Sequence, residues 1–246
     1  MMDADNLLLS KIDDLLKRSD RAGRTTFSRF LSLREQTFLC GKNLKNRNFF
    51  QSGGHNNADR VIFAFAPGDA KPDFDIILLR FEPTDGAVLT HRDYLGAALA
   101  LGIKREMIGD ILTENGVAYL FCLGEIAPFL QENLTKAGRS TLRVQRITDM
   151  DQQALPAPKH EQVRGSISSN RLDNIVSFLT NKSRTVAANL IERGLVAANG
   201  MEVYKQTMAL RDGDIISIRG FGKWIYKGTD GQSRKGKTYV MFLKFI

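Results

Sequence analysis

The sequence has 246 residues, enough for one large domain or for two to three small ones. Apolar residues make up 43% of the chain and charged residues 25%, which is typical of a folded globular protein and excludes a disordered one. Residues 1–158 contain 20 basic and 20 acidic side chains, whereas residues 159–246 contain 15 and 7. The whole net charge of +8 therefore lies in the last third, as expected of a polyanion-binding module, with a merely solvated charged face as the alternative.

The two cysteines, Cys40 and Cys122, are far apart and form no C-x-x-C pair, so we expect both to be buried, reduced thiols. The acidic, leucine-interrupted N-terminus does not resemble a signal peptide, and no stretch reaches the roughly 20 apolar residues of a membrane span. His55, His91 and His160 have no ligand spacing, so we expect neither a metal nor a cofactor. A cytoplasmic protein without a membrane partner is the expectation.

The first 72 residues are predicted to form an N-terminal α+β domain. Leucines and Ile12 at helical spacing predict an amphipathic helix that ends near Arg18. Ser32 and Glu35 have the spacing of a capping box, which predicts the start of a second helix. The apolar residues 61–65 then predict a strand.

Residues 73–150 are predicted to form a middle domain with the element order β-α-β-β-α-β. This is the order of the ferredoxin-like fold, which many RNA-recognition domains (RRMs) use. The predicted elements are strands 74–81, 109–112, 117–122 and 142–147 and helices 91–101 and 126–134.

Two short motifs of the middle domain have competing interpretations. Tyr119 and Phe121 lie two residues apart on a predicted strand, as RNA-stacking aromatics do, but core packing is favoured because a central strand alternates in any case. His91, Arg92 and Asp93 form the tripeptide of a kinase catalytic loop, yet no other kinase motif is present. Helix initiation is the favoured role.

Residues 151–162 contain Pro156 and Pro158 without periodicity and are predicted to be a linker. The remaining residues, 163–246, begin with a helical face made by Leu172, Ile175, Val176 and Leu179. Ser183 is a good N-cap for a second helix, and Asn199-Gly200 predicts a tight turn. Two short helices and a hairpin leave several basic residues in a compact region.

An ordered series of residues in this region resembles the S4 RNA-binding domain of a small-subunit ribosomal protein, pseudouridine synthases and some aminoacyl-tRNA synthetases. The matching residues are Arg171, Leu172, Asp173, Ser183, Arg184, Ala187, Ile191, Gly194, Val196, Asn199, Gly200, Lys205, Gly213 and Asp214. The expected fold class is thus α+β throughout: an N-terminal α+β domain, a ferredoxin-like, RRM-like middle domain and a C-terminal S4 domain with a β extension.

Further segments resemble the bacterial YlmH family across nearly the whole chain. They are residues 91–96, 101–105 and 108–111 in the middle domain and residues 219–222 after the S4 core. The resemblance implies binding to the large ribosomal subunit with tRNA in ribosome-associated quality control, and an association with cell division.

Structured RNA, rRNA or tRNA, is therefore the expected partner of a non-catalytic protein that is monomeric when free. The predicted RNA-binding residues are Arg171, Lys182, Ser183, Arg184, Arg193, Asn199, Lys205, Arg219 and Lys223. Arg234, Lys235 and Lys237 are expected to extend the contact, whereas Phe221, Trp224 and Tyr226 fit either the contact or hairpin packing.

Three alternatives stay open at this stage. Asp173 follows Arg171-Leu172 as the nucleophile of pseudouridine synthases does, but without a catalytic domain its favoured role is to cap the helix or to orient Arg171. The chain as a whole fits an adaptor of the division machinery, or an RNA-modifying enzyme whose site lies in the first 150 residues.

Overall fold

A computed structural model describes residues 2–42, 44, 49–69, 71–148, 155–232 and 236–246. The chain divides into two compact units, residues 1–157 and residues 158–246. Within the described ranges, no helix combines the length and the apolar character needed to cross a membrane.

The first unit contains four helices and eight strands within its described residues. In chain order they are α1 (Met2–Ala22), β1 (Thr26–Phe27), α2 (Leu33–Lys42), β2 (Phe50–Ser52), β3 (Ile62–Phe65), β4 (Ile76–Pro83), α3 (His91–Ala100), β5 (Ile108–Glu114), β6 (Val117–Leu123), α4 (Ala127–Asn133), β7 (Lys136–Ala137) and β8 (Ser140–Ile147).

The N-terminal part of this unit is a small three-stranded sheet, in the order β1-β3-β2, covered by α1 and α2. The predicted capping box is confirmed, because the Ser32 amide donates to Glu35 Oε2 at 2.7 Å and the Glu35 amide to Ser32 Oγ at 3.4 Å. Helix α1 runs four residues beyond the predicted end near Arg18. The added turn is held because Ser19 Oγ donates to the carbonyl of Phe65 in β3.

The middle part has the predicted β-α-β-β-α-β order, and its sheet has the strand order β5-β6-β4-β8-β7 with antiparallel pairs. This is the ferredoxin-like arrangement. Helices α3 and α4 pack on one face, where alternate strand residues such as Leu79, Phe81 and Leu120 are fully buried. At the start of α3, Thr90 and Asp93 form a capping box, so the predicted role of His91–Asp93 in helix initiation is confirmed.

The two parts share side-chain contacts, so residues 72 and 73, the predicted domain boundary, lie inside one compact unit. Asp110 in β5 accepts hydrogen bonds from the backbone amides of Asp59 and Arg60 and is hydrogen-bonded to His55. The Arg60 guanidinium donates to the carbonyls of Phe30, Arg105 and Ile108.

The second unit contains two helices and a six-stranded sheet. Its elements are β9 (His160–Ile167), α5 (Leu172–Thr180), α6 (Arg184–Glu192), β10 (Val196–Ala198), β11 (Met201–Glu202), β12 (Ile215–Ile218), β13 (Gly222–Gln232) and β14 (Thr238–Phe245). The strand order is β11-β10-β12-β13-β14-β9.

Strand β9 starts at His160, inside the range 151–162 that the sequence assigned to a linker. It forms because β14 pairs with it along its whole length, from Thr238↔Ile167 to Phe245↔His160. Its residues alternate between exposed polar and partly buried positions. The linker prediction is therefore wrong for its last three residues.

Helices α5 and α6 pack on one face of this sheet, the inner face. Their buried residues, Leu172, Ile175, Val176, Ala187 and Ile191, share one core with Trp224, Tyr226, Val240 and Phe242 of the sheet. Residues that alternate with these along the strands lie on the opposite, outer face.

The cysteine prediction is half right. Cys122 is buried in β6, and burial raises the pKa of its thiol to about 12, which keeps it protonated. Cys40 is exposed, because it follows the buried Leu39 on α2 and successive helical residues point about 100° apart.

Candidate nucleic-acid interface

Asp173, the second residue of α5, organises the basic residues at the start of the two helices. Its side chain is only 5% exposed, and it accepts hydrogen bonds from Arg171 Nε at 3.1 Å and Nη2 at 3.2 Å. Arg184 Nη2, from the first turn of α6, donates at 2.6 Å to Asp173 Oδ2, the oxygen that also accepts from Arg171 Nη2. Burial acts to raise the pKa of Asp173, but the hydrogen bonds from Arg171 and Arg184 outweigh it and lower the pKa to about 2.

Asp173 therefore stays ionised, and it holds two guanidinium groups in fixed positions. Both arginine side chains remain substantially exposed, Arg171 at 41% and Arg184 at 59%. An arginine that is anchored on one edge still has N–H donors for a second partner, because the group has five. The predicted role of Asp173 in orienting Arg171 is confirmed, and it extends to Arg184.

The start of α5 is closed to ligands. The amides of Leu172 and Asp173 donate to the carbonyls of Met208 and Gln206 at 2.8 and 3.1 Å. These contacts bring the loop that contains the exposed Lys205 beside Arg171 and Asp173.

The start of α6, in contrast, is open. Ser183 is the N-cap and its Oγ accepts from the amide of Val186, as predicted. The amides of Arg184 and Thr185 have no hydrogen-bond acceptor among the residues that the structure describes. Amides at the start of a helix, together with its dipole, favour an anion.

The turn between the helices is fixed by its own hydrogen bonds. Ser177 Oγ donates to the carbonyl of Lys182 at 2.6 Å, and the Lys182 amide donates back to the Ser177 carbonyl. Asn181 has a φ of 53°, the left-handed conformation that commonly ends a helix. The backbone of Lys182 is therefore held by hydrogen bonds, and its exposed side chain extends from the chain directly before Ser183 and Arg184.

Arg171 and Arg184 contact the buried Asp173 carboxylate, Lys182 and Ser183 directly precede Arg184, and Lys205 directly precedes Gln206, whose carbonyl accepts from the Asp173 amide. We call this set of five predicted residues, Arg171, Lys182, Ser183, Arg184 and Lys205, the Asp173 cluster. It combines four cationic side chains with the open amides at the start of α6. Such an arrangement is suited to phosphate oxygens, which arginine and backbone N–H groups bind as hydrogen-bond donors.

The other four predicted residues lie elsewhere. Arg193 ends α6, about 13 Å along the helix from Arg184, and Arg219 is near it because the Arg219 amide donates to the carbonyl of Leu195. Asn199, at a φ of 49°, bonds to Asp214 and to the amide of Ile215, so it holds the hairpin turn.

Lys223 lies on the outer face of the sheet, since its neighbour Trp224 is in the core on the inner face. Its Nζ is 4.5 Å from the centroid of the Phe245 ring. Trp224 and Tyr226 are buried, so these two aromatics have the packing role, whereas Phe221 is 37% exposed. Arg234 and Lys235 lie outside the described residues, and Lys237 is exposed.

In the middle part of the first unit, the sheet face opposite the helices is partly covered. Phe121 is 1% exposed and its ring lies 4.8 Å from that of His55, so core packing is confirmed for Phe121. Tyr119 is half-buried on the same face, across from Arg80 in β4. At most one aromatic of this pair is therefore accessible for stacking. Throughout the described part of the chain, no group of three or more His, Cys, Asp or Glu residues could hold a metal ion.

Comparison with known proteins places this architecture in a family. Residues 70–151, the ferredoxin-like part, match the family model described as "Putative RNA-binding domain in YlmH". Ribosome-associated protein quality control protein P2 of Bacillus subtilis (strain 168) is 30% identical over 224 residues, which cover 89% of this chain and 87% of that protein. The structure titled cell division protein ylmH from Streptococcus pneumoniae matches with a TM-score of 0.50 at 21% identity, over 59% of this chain and 92% of that one, and shows a likeness of fold. These matches confirm the family expected from the sequence. Since the similarity to the Bacillus subtilis protein spans most of both chains, this protein belongs to the YlmH family.

Proposed function

We propose that this protein binds structured RNA without catalysis, through the Asp173 cluster, and that it does so on the large ribosomal subunit with tRNA during ribosome-associated quality control. The observation that carries the proposal is the buried Asp173 carboxylate, which fixes Arg171 and Arg184 beside the open start of α6.

The geometry favours the phosphate backbone over the bases. The Asp173 cluster combines two guanidinium groups, two ammonium groups and backbone amides, all of which are donors that bind phosphate oxygens. Double-stranded RNA hides its base edges in a deep, narrow major groove, so proteins recognise it by shape and backbone. Low sequence specificity follows, and the RNA target is then selected by its three-dimensional arrangement of phosphates.

Two comparisons support the ribosomal part of the proposal. The Bacillus subtilis relative carries ribosome-associated quality control in its name, and the matching family model is described as an RNA-binding domain. The excess of eight positive charges in residues 159–246 agrees with a polyanionic partner for the second unit.

The test is sedimentation of a lysate through sucrose gradients at low and high salt, followed by crosslinking and sequencing of the bound RNA. Parent protein should migrate with large subunits at low salt, leave them at high salt and crosslink to rRNA or tRNA. The Lys182→Ala/Arg184→Ala double variant should stay in the soluble fractions at salt concentrations where the parent still migrates with subunits. Lys17→Ala/Arg18→Ala, which removes two exposed cations from α1, outside residues 70–151, is the charge-matched control and should migrate like the parent.

Two outcomes would contradict the proposal. Association that survives both nuclease and high salt would indicate a protein partner, as for an adaptor of the division machinery. A mass change in a nucleotide of rRNA or tRNA treated with the protein would indicate an RNA-modifying enzyme.

A further inference from the structure

We propose that the outer face of the C-terminal sheet is a second RNA surface, which takes unpaired nucleotides by stacking a base on the exposed ring of Tyr239. The inference rests on the proposed RNA-binding function and extends it from double-stranded to single-stranded RNA. Of the nine predicted RNA-binding residues, only Lys223 lies on β9, β13 or β14, the strands that form this surface.

The strand register defines the surface. Val240 and Phe242 of β14 are buried in the core, so Tyr239, Met241, Leu243 and Phe245 point to the outer face. Their partners on β9, in the same order, are Ser166, Arg164, Gln162 and His160, and Ile225 of β13 is the partner of Leu243 on the other side. With Lys223, these ten side chains form what we call the outer sheet surface.

Aromatic groups lie at both ends of β14 on this surface. Tyr239 is 46% exposed, although it lies in a paired strand. Phe245 is partly exposed, with the His160 ring against it edge-on at 4.7 Å and Lys223 Nζ above it at 4.5 Å. The seven residues from Tyr239 to Phe245 span roughly 20 Å, enough for several nucleotides of an extended strand.

The charge of the surface is cationic. Lys223 and Arg164 belong to it, whereas none of its ten residues is an aspartate or a glutamate. A partner that offers both flat π-faces and negative charge is complementary to this combination, and unpaired nucleotides offer both. A base in a duplex is already stacked and paired, so it has no free face to stack on the ring of Tyr239.

The outer sheet surface and the Asp173 cluster are separate sites. Helices α5 and α6, whose starts position most of the cluster, pack on the inner face, and the outer sheet surface is on the reverse of the same sheet. A substitution at Tyr239 therefore leaves the Asp173 cluster unchanged, which allows the two kinds of binding to be measured apart.

The experiment is fluorescence anisotropy of the full-length protein with two labelled probes, a 12-nucleotide oligouridine and a blunt RNA duplex. Tyr239→Ala should weaken oligouridine binding by at least about fivefold, since stacking of a base on an aromatic side chain is worth that much or more on alanine substitution. Duplex binding should be unchanged. Tyr239→Phe keeps the ring and should bind oligouridine like the parent, and Arg184→Ala should show the reverse selectivity.

Each other outcome overturns the proposal in a recognisable way. Equal oligouridine affinity for the parent and Tyr239→Ala would remove Tyr239 from any RNA site. Duplex binding without oligouridine binding would refute the second surface and leave the proposed function intact, whereas binding of neither probe would refute both. If Tyr239→Ala weakened only co-sedimentation with ribosomal subunits, the surface would bind a protein instead.

Discussion

Arg184 Nη2 lies 2.6 Å from Asp173 Oδ2, so a side chain from the first turn of α6 is joined to one from the first turn of α5. Because Arg171 donates to the same carboxylate, three charged groups fix one another at the point where both helices begin. The contact between Asp173 and Arg184 stabilises the fold and, according to the proposed function, positions Arg184 for RNA binding. These two roles can be separated by experiment.

Replacement of Asp173 by Asn should lower the free energy of unfolding by about 1–3 kcal/mol. The change removes charge-assisted hydrogen bonds from a buried group, whereas both arginines are exposed enough to regain water. Urea denaturation of the parent and the variant measures the difference. Asp230→Asn, at an exposed position in β13, is the control and should shift stability by less than about 0.5 kcal/mol.

The pH dependence of stability should carry the signature of Asp173. Its pKa is about 2 in the folded protein, below the ordinary value of 3.8, so the unfolded chain takes up the proton first as the pH falls. The stabilisation is complete above about pH 5 and is lost between about pH 4 and pH 2, and it amounts to about 2 kcal/mol. The unfolding curves of the parent and Asp173→Asn should differ at pH 6 and approach each other at pH 2.5. A difference that stays constant with pH would show that the carboxylate does not titrate as its contacts indicate.

The sequence predicted the local part of this cluster but not all of its geometry. The capping rule identifies Ser183 as a helix start and periodicity identifies the apolar face of α5, whereas Arg171, Asp173 and Arg184 were selected by the resemblance to the S4 domain. The contact between Asp173 and Arg184 spans eleven residues and depends on how the helices pack. Such a contact is tertiary, and residue spacing alone does not specify it.

The difference between local pattern and tertiary contact also explains why strand β9 was predicted as a linker and why Tyr239 was not predicted as a site residue. Strand β9 has mostly polar residues and exists because β14 pairs with it, so the local pattern resembled a linker. Tyr239 carries no motif, and its exposure follows from a register in which Val240 and Phe242 enter the core. One feature of the sequence could have indicated it. If residues 238–245 form a strand, Phe242 lies on one face of the sheet and Tyr239 and Phe245 lie on the other.

Salt dependence should reveal how many phosphates the Asp173 cluster contacts. Each phosphate contact adds about 0.7–0.9 to the magnitude of the slope of log affinity against log salt concentration. Lys182→Ala and Arg184→Ala should therefore each flatten the slope for a structured RNA by up to that amount. The measurement is anisotropy across a salt series, with Arg18→Ala, an exposed position on α1, as the charge-matched control. Slopes equal to that of the parent would exclude both residues from the site.

Asp110→Ala should destabilise the first unit without affecting duplex binding by the second. Asp110 accepts from the amides of Asp59 and Arg60 and is hydrogen-bonded to His55, whose side chain is 8% exposed. It is also a nearby negative charge for the half-buried guanidinium groups of Arg60 and Arg105, and burial lowers the pKa of both. Removal of the carboxylate leaves several donors without an acceptor, at a cost of about 2–4 kcal/mol.

Denaturation followed by hydrogen exchange should show earlier opening of residues 50–65 and 108–123, while residues 158–246 keep their protection. Asp69→Ala, which removes an exposed carboxylate from a loop of the same unit, is the control. If Asp110→Ala loosened both units equally, they would unfold as one cooperative structure, and the division at residues 157 and 158 would have no energetic meaning.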